Sequence, residues 1–330
     1  MTDPIDVLTI GNAIVDVIAK VGEDFITREA LVKGSMNLID EVRAETLYNH
    51  MGPATEISGG SAGNTAAGVA SFGGKAAYFG KVRDDQLGGI YRHDMRSQGV
   101  RFDSVAAGDG PATARSFILL TPDGERTMNT YLGACVNLDE RDVDADIVKA
   151  SAVTYMEGYL YDKPAAMAAF RAAAKISQGA GRMTSISLSD SFCVERHRDA
   201  FLDLIRNSID IVFANETEIK ALYKTQSFSG AIDAARQDCP LVVVTRSEKG
   251  SVIVKGADTI EVPAHPVKSV VDVTGAGDLY AAGFLFGHTS GKPLAHCARL
   301  GSLAAAEVIS HVGARPEVNL KAYAKEQGLL

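Results

Sequence analysis

No run of 18 apolar residues occurs in the 330-residue chain, so the sequence offers no segment able to span a membrane as a helix. Its start, Met1-Thr2-Asp3-Pro4-Ile5-Asp6, lacks basic residues, and the apolar stretch behind it is broken by Asp16 and Lys20. That does not read as a secretory leader. Cysteine is sparse: Cys135, Cys193, Cys239 and Cys297 lie far apart with no C-x-x-C pair. Such usage suits reduced, buried thiols in a cytoplasmic protein better than a disulfide framework or a zinc site. The seven histidines show no metal-ligand spacing. Positive charge is in deficit, with 33 Lys and Arg against 41 Asp and Glu, a net of −8. This removes any global attraction to nucleic acid or an anionic membrane. An anionic ligand must then be held by local dipoles and a few placed cations.

Signals of subdivision are missing too. No repeat, charge block or Pro/Ser-rich linker interrupts the chain, although its length allows about two domains or one large α/β domain. The composition, 46% hydrophobic and 22% charged, supports a large core. Strands are expected at Ile5–Ile10, Ala76–Phe79, Thr184–Leu188, Ile209–Ala214, Leu241–Thr245 and Ser251–Lys255. Helices are expected at Thr65–Phe72, 86–99, Ala165–Ile176, Ala200–Ser208 and Ile232–Asp238. Residues 113–132 read as a hairpin around Pro122-Asp123-Gly124. Alternation of this kind, with runs such as Val242-Val243-Val244, points to a parallel sheet buried on both faces. A second layer is expected to be inserted into the main fold, not appended to it.

Common nucleotide motifs are likewise missing: no Gly-Lys pair is followed by Ser or Thr, and no strand-linked G-x-G-x-x-G or H-E-x-x-H occurs. What the chain has instead is Asp272-Val-Thr-Gly-Ala-Gly-Asp278 before an apolar, small-residue segment. Gly275-Ala276-Gly277 fits a tight turn at a helix N-terminus, where free N–H groups and the helix dipole attract a phosphate. Asp278 at the mouth of that turn suits a base accepting a hydroxyl proton, and a helix cap is the alternative. Ser58-Gly-Gly-Ser-Ala-Gly-Asn64 is a second glycine cluster, and Gly59 to Gly63 also spells the G-x-S-x-G of a hydrolase nucleophile elbow. That alternative makes Ser61 a nucleophile and needs a strand upstream, for which Gly52-Pro53-Ala-Thr-Glu-Ile57 is a poor candidate. Asn12 and Asp16, after the first strand, could grip ligand hydroxyls or be ordinary loop residues. Asn215-Glu-Thr-Glu218 follows a strand end, where open α/β sheets bind ligands. Glu218 there could hold magnesium through water or simply sit in a first helical turn. Thr245-Arg-Ser-Glu-Lys-Gly250 joins two strands.

Together these residues resemble the ribokinase-like (PfkB) family of sugar and nucleoside kinases. Gly59–Asn64 through Gly99, with Phe79-Gly-Lys-Val82 and Asp84-Asp85-x-x-Gly88, is similar to the first family signature. Asp272–Asp278 is similar to the second, D-T-x-G-A-G-D, with Val273 in place of Thr. Asn215-x-x-Glu218 and Thr245–Gly250 match in order, with Ser247 where Gly is common. The resemblance implies a three-layer α/β/α sandwich with a mainly parallel central sheet and a small β-sheet lid from segments near 14–45 and 102–132. It implies ATP and Mg2+ as cofactors and a small-molecule acceptor as the partner, in a monomer or homodimer. By the same resemblance Asp278 is the base, and Gly275, Ala276 and Gly277 stabilise the transferred phosphoryl group. Asn215 and Glu218 organise magnesium and phosphates, while Thr245, Ser247 and Gly250 line the nucleotide. Asn12, Asp16, Gly59, Gly60 and Asn64 hold the acceptor. Asp272, Thr274 and Gly313 fall where many members bind a monovalent cation such as K+. Asp24-Phe25, Leu31, Gly34, Asn37-Leu38, Asp40 and Thr130–Ala134 are most similar to the adenosine kinase branch, and Arg126 matches its arginine near the transferred phosphate. The expected acceptor is therefore adenosine, with ribose, fructose or 2-keto-3-deoxygluconate as the sugar alternative. Phe25, Met36, Phe117 and Tyr131 are expected either to face the base or to form lid core. A catalytically silent nucleotide-binding module is the remaining alternative.

Overall fold

The structure is a computed structural model that describes residues 3–330. Its strands in chain order are β1 (Ile5–Ile10), β2 (Ile14–Lys20), β3 (Met36–Leu38), β4 (Thr55–Ser58), β5 (Ala76–Phe79), β6 (Ala114–Leu120) and β7 (Arg126–Tyr131). There follow β8 (Ser151–Glu157), β9 (Met183–Ser187), β10 (Ile211–Asn215), β11 (Leu241–Thr245), β12 (Ser251–Lys255) and β13 (Asp258–Val262). Eight form one sheet in the order β13-β12-β11-β10-β9-β8-β1-β5. From β11 to β5 all neighbours are parallel, and β12 and β13 extend the edge antiparallel. Side chains alternate across this sheet into two cores. Val7, Tyr155, Phe213 and Val243 pack with the helices Ser61–Ser71, Ala276–Thr289 and Leu294–Val308. Leu8, Met156, Val212 and Val242 pack with Pro164–Gly179, Ser191–Ser208 and Phe228–Asp238. The result is the three-layer sandwich expected of strands that read as continuous apolar runs.

The helices Ser61–Ser71 and Ala276–Thr289 approach unusually closely. A Cβ on Gly68 would stand 2.6 Å from that of Ala282, so the small residues let the two backbones meet. That contact matters for the site below, because it sets the first turns of both helices side by side.

The second sheet has the order β3-β7-β6-β2-β4. The hairpin around Gly124 forms as expected, with β6 and β7 antiparallel. Strand β4 falls outside both segments expected for the small sheet. Pro53 argues against strand there, yet the chain beyond it pairs with β2 as an edge strand, where a nearby proline costs no ladder hydrogen bond. Strand β8 was not expected either, because Ser151, Thr154 and Glu157 interrupt its apolar run; all three are buried. The helix expected from Ala200 starts at Ser191, with Asp190 capping it and a kink at His197. No helix among the described residues is long and apolar enough to cross a membrane.

Candidate active site

The site lies where the sheet topology reverses. From β1 the chain moves to β5 on one side and later to β8 on the other, which opens a crevice at the C-terminal ends of β1 and β8. Glu157 ends β8 and spans this crevice. Its Oε1 accepts from the Asn12 side-chain amide at 2.9 Å and the Asn12 N–H at 3.3 Å, and its Oε2 accepts from the Ala62 N–H at 2.8 Å. Burial raises the Glu157 carboxyl to about 7, against the pull of these donors. Nothing in the sequence analysis marked this residue; its one signal is a Glu-Gly pair closing an apolar run.

The glycine turn forms as expected. Gly275 adopts a left-handed backbone (φ 77°) and the helix begins at Ala276. Gly277 is exposed, with nothing within 4 Å of where a Cβ would stand. Asp278, half-buried on the first turn, is held at both oxygens. Ser61 Oγ donates to Oδ1 at 2.6 Å and Asn64 Nδ2 donates to Oδ2 at 2.9 Å. Burial raises its pKa, while these two bonds and the charge of Arg315 oppose the rise. Ser61 is therefore a donor to a carboxylate, and no histidine is hydrogen-bonded to it among the described residues. Strand β4 does supply the upstream strand of an elbow, but the group that Ser61 meets is the Asp278 carboxylate, and among the described residues no imidazole stands against it as in a serine-histidine pair.

Asp16 stands on β2 of the small sheet, against Gly59, where a Cβ would lie 2.2 Å from its Oδ2. Burial, with Asp278 and Asp272 adding to it, raises Asp16 to about 7, and Arg315 and Arg126 counter the rise. The side-chain oxygens Asn12 Oδ1 and Asn64 Oδ1 are buried without a hydrogen-bond partner. Buried acceptors of this kind fit a ligand that brings hydroxyl donors.

Asp272, Thr274, Gly313 and Arg126 also come together. Asp272 Oδ1 accepts from the Thr274 N–H at 2.8 Å; its Oδ2 accepts from the Gly313 N–H at 2.9 Å and from the Arg126 guanidinium. Its carboxyl is held below the usual range by these donors, which outweigh burial. Gly313 thus turns a donor, not a carbonyl, toward Asp272. Asn215 and Glu218 meet in a reciprocal cap, with bonds of 2.6 and 2.9 Å. Burial, then Asp190 and Asp278, raise Glu218 to about 7. Thr245 ends β11 beside Asn215, its register partner, and the turn to Gly250 follows. Ser247 has φ 52° there, the left-handed backbone that suits the more usual glycine.

Of the residues expected either to face a base or to fill the lid core, Phe25, Phe117 and Tyr131 are buried core, while Met36 is exposed. Alternation along the small sheet explains the difference. Val15, Val17, Phe117 and Leu119 point one way into the packed interior, and Asp16, Ile18, Ile118 and Met128 point the other. Arg126 shares the second face and reaches Asp272, so this face looks onto the crevice.

The fold and this crevice define a phosphotransferase of the ribokinase-like α/β type. Residues 7–320 match the model of the pfkB family of carbohydrate kinases, and the chain belongs to that family. It is 57% identical to an adenosine kinase structure from Sinorhizobium meliloti, covering 98% of this chain and 99% of that one, with a TM-score of 0.90. A probable sugar kinase from Rhizobium etli is 53% identical over all of both chains, with a TM-score of 0.92. Among curated proteins, the adenosine kinase of Saccharomyces cerevisiae is 27% identical, covering 95% of this chain and 96% of its own. The chain is thus a carbohydrate or nucleoside kinase, adenosine kinase-like in sequence.

Proposed function

We propose that this kinase transfers the γ-phosphoryl group of ATP to the 5′-hydroxyl of adenosine, with Asp278 as general base. The observation that carries the reading is Asp278 itself, held by Ser61 and Asn64 beside a glycine turn at a helix N-terminus. Two donors keep the carboxylate oriented and ionised, and burial makes it a stronger base than an exposed aspartate. As the acceptor oxygen attacks the γ-phosphorus, its proton passes to Asp278. The new P–O bond forms, the bond to the bridging oxygen breaks, and ADP leaves. The N–H groups of Gly275 and Gly277 face the charge that builds on the phosphoryl oxygens, while that of Ala276 donates to the Val273 carbonyl at 3.3 Å. Arg126 supplies a cation beside them.

Asp16 accepts from ribose hydroxyls, with Asn12 and Asn64 offering their unpartnered oxygens and Gly59 and Gly60 leaving room. Nucleotide contacts fall to Asn215, Thr245, Ser247 and Gly250. Among the described residues no group of three or more His, Cys, Asp or Glu side chains is set to ligate a metal directly, and both Glu218 oxygens already accept from Asn215, which fits a divalent cation held through water. Glu218 and Asn215 would hold magnesium through water. Bound with the nucleotide, it would neutralise charge on the β- and γ-phosphates. No step is assigned to a monovalent cation at Asp272, whose carboxylate pairs with Arg126.

A nucleoside is favoured over a bare sugar by the crevice face of the small sheet. Ile18, Ile118, Met128, Met36 and Leu38 share that face beside Asp16, and Met36 and Leu38 are exposed. A purine ring would cover this apolar surface, whereas ribose or fructose would leave it wet. The high identity to the S. meliloti enzyme agrees. ADP release at fixed Mg·ATP, measured with adenosine, other nucleosides, ribose, fructose and 2-keto-3-deoxygluconate, tests the reading. Adenosine should give the highest kcat/KM. Turnover of ribose or fructose without adenosine would overturn the acceptor and leave the kinase. Asp278→Asn should lower kcat by about 10²- to 10⁴-fold with ATP binding retained; a near-normal rate would overturn the base.

A further inference from the structure

Arg315 follows Gly313 by two residues, in the segment between the helices Leu294–Val308 and Leu320–Glu326. Its Nε donates to the Ser58 carbonyl at 3.0 Å, Nη1 to the Gly63 carbonyl at 2.6 Å and Nη2 to Ser58 Oγ at 2.9 Å. Ser58 in turn donates its N–H and its Oγ to Asp94 Oδ2 at 2.8 and 2.6 Å. The stretch between these anchors carries Gly59, Gly60 and Ser61, and the helix it opens carries Asn64. On its other side Arg315 adjoins Ala314, against which Gly275 packs. The guanidinium thus ties the end of β4 to the start of the helix bearing Ser61 and Asn64, and the adjoining Ala314 seats the same segment on the glycine turn.

Its three oxygen partners are all neutral, and among the described residues it forms no ion pair within 4 Å. Its charge is therefore shared between Asp94, which it meets through Ser58, and the crevice carboxylate Asp16. We propose that Arg315 is a positioning residue for phosphoryl transfer: its guanidinium fixes the Ser58–Gly63 turn that opens the helix holding Asp278 through Ser61 and Asn64, and its charge, bonded only to neutral oxygens, adds to the positive side of the crevice.

The charge environment agrees. Arg315 opposes the effect of burial at both Asp16 and Asp278. The groups facing it are Asp94 and Tyr91 from the helix Gln86–Ser97, Asp16 from β2, Tyr78 from β5 and Asp278 from Ala276–Thr289. Asp16 also feels Arg126, Asp278 and Asp272, none of which Arg315 contacts by a hydrogen bond.

The inference rests on Asp278 being the base, so the test runs Asp278→Asn in parallel. The pH profile of kcat/KM is measured for the full-length protein, Arg315→Lys and Arg315→Gln, with thermal melts and ATP binding as checks of folding. Arg315→Gln should move the acid limb upward by about one pH unit, a tenfold loss on that limb. Arg315→Lys keeps the charge and loses the fork, so its limb should stay in place while the acceptor KM rises. If Arg315→Gln fails to fold, Asp94→Ala removes the acceptor of both Ser58 bonds while leaving the Arg315 charge. It should then raise the acceptor KM and leave the limb unmoved or lowered. Unmoved limbs in both arginine variants, or an upward shift in Arg315→Lys equal to that in Arg315→Gln, would overturn the proposal. Inactive Asp278→Asn with an unmoved Arg315→Gln limb sinks the role of Arg315 alone, whereas active Asp278→Asn sinks the base assignment.

Discussion

Replacing Gly60 by alanine tests how the crevice is built. Gly60 caps the helix Ser61–Ser71 with φ 82° and ψ 139°, a backbone region that is nearly closed to residues with a side chain. Holding it there costs about 1–3 kcal/mol. The new Cβ would also lie 2.0 Å from the Asn12 carbonyl oxygen, which is main chain and cannot rotate away. Asn12 must therefore move by more than an ångström, roughly the difference from ordinary van der Waals contact. That displacement breaks both bonds from Asn12 to Glu157. Donors to a charged or nearly charged carboxyl are worth about 1–2 kcal/mol each. The sum, about 3–7 kcal/mol, is a large part of the 5–15 kcal/mol typical of a folded protein. At about 2 °C per kcal/mol for a chain of this size, the Tm should fall by roughly 6–14 °C. The acceptor KM should rise at least about tenfold, since Asn12 and Asp16 flank the shift. Thermal melts followed by circular dichroism and acceptor titrations read both effects. A Tm within 2 °C of the parent with an unchanged KM would refute the argument, because Asn12 would then be free to yield without loss.

Gly277→Ala should do the opposite. Nothing stands within 4 Å of its Cβ position, and alanine favours a helix over glycine by about 1 kcal/mol, so the melting point should hold or rise. A methyl group facing the phosphoryl oxygens should still lower kcat by about tenfold or more; an unchanged kcat would show that no phosphate approaches this turn. Asp16→Asn separates stability from function. A carboxyl raised from 3.8 to about 7 binds more protons folded than unfolded, so stability falls as pH climbs through that interval, at about 1.4 kcal/mol per unit. The amide escapes this, and the unliganded variant should melt higher than the parent at pH 8 and equally at pH 4. Its acceptor KM should rise, and in the parent KM should worsen below about pH 7, where Asp16 takes up a proton. Equal melting points at pH 8 would contradict the burial argument.

Legibility in the sequence followed the range of the contacts. β1 and β11 were readable because both faces are buried and their apolar runs are continuous. The Asp272–Asp278 turn was readable because its chemistry sits in seven consecutive residues whose glycines have a local purpose. β8 was not, since its buried Thr154 and Glu157 look like surface residues until the neighbouring strands and Asn12 are in place. The two site residues that went unnoticed act across long separations. Glu157 meets Asn12 across 145 positions and Arg315 meets Ser58 across 257. No spacing rule reaches that far, and neither residue type is unusual where it stands. The aromatic residues of the small sheet illustrate the same limit. Phe117 and Ile118 are neighbours in sequence, and only the pairing register tells which of them looks onto the crevice.

The net charge of −8 sharpens into a local question once the site is visible. Asp16, Glu157, Glu218 and Asp278 gather around the C-terminal ends of the central strands, and burial raises the pKa of each. Such a cluster is destabilising when empty, and an uncharged acceptor suits it better than an anionic one. Each carboxylate is accordingly restrained by donors that cannot leave with the ligand: backbone N–H groups at Glu157 and Glu218, Ser61 and Asn64 at Asp278, and the fields of Arg126 and Arg315 at Asp16. A cation and hydroxyl donors arriving with the substrates would relieve the remaining strain. Substrate binding and fold stability are therefore linked in this crevice, and ligands that fill it should stabilise the protein most above pH 7, where the carboxylates are ionised.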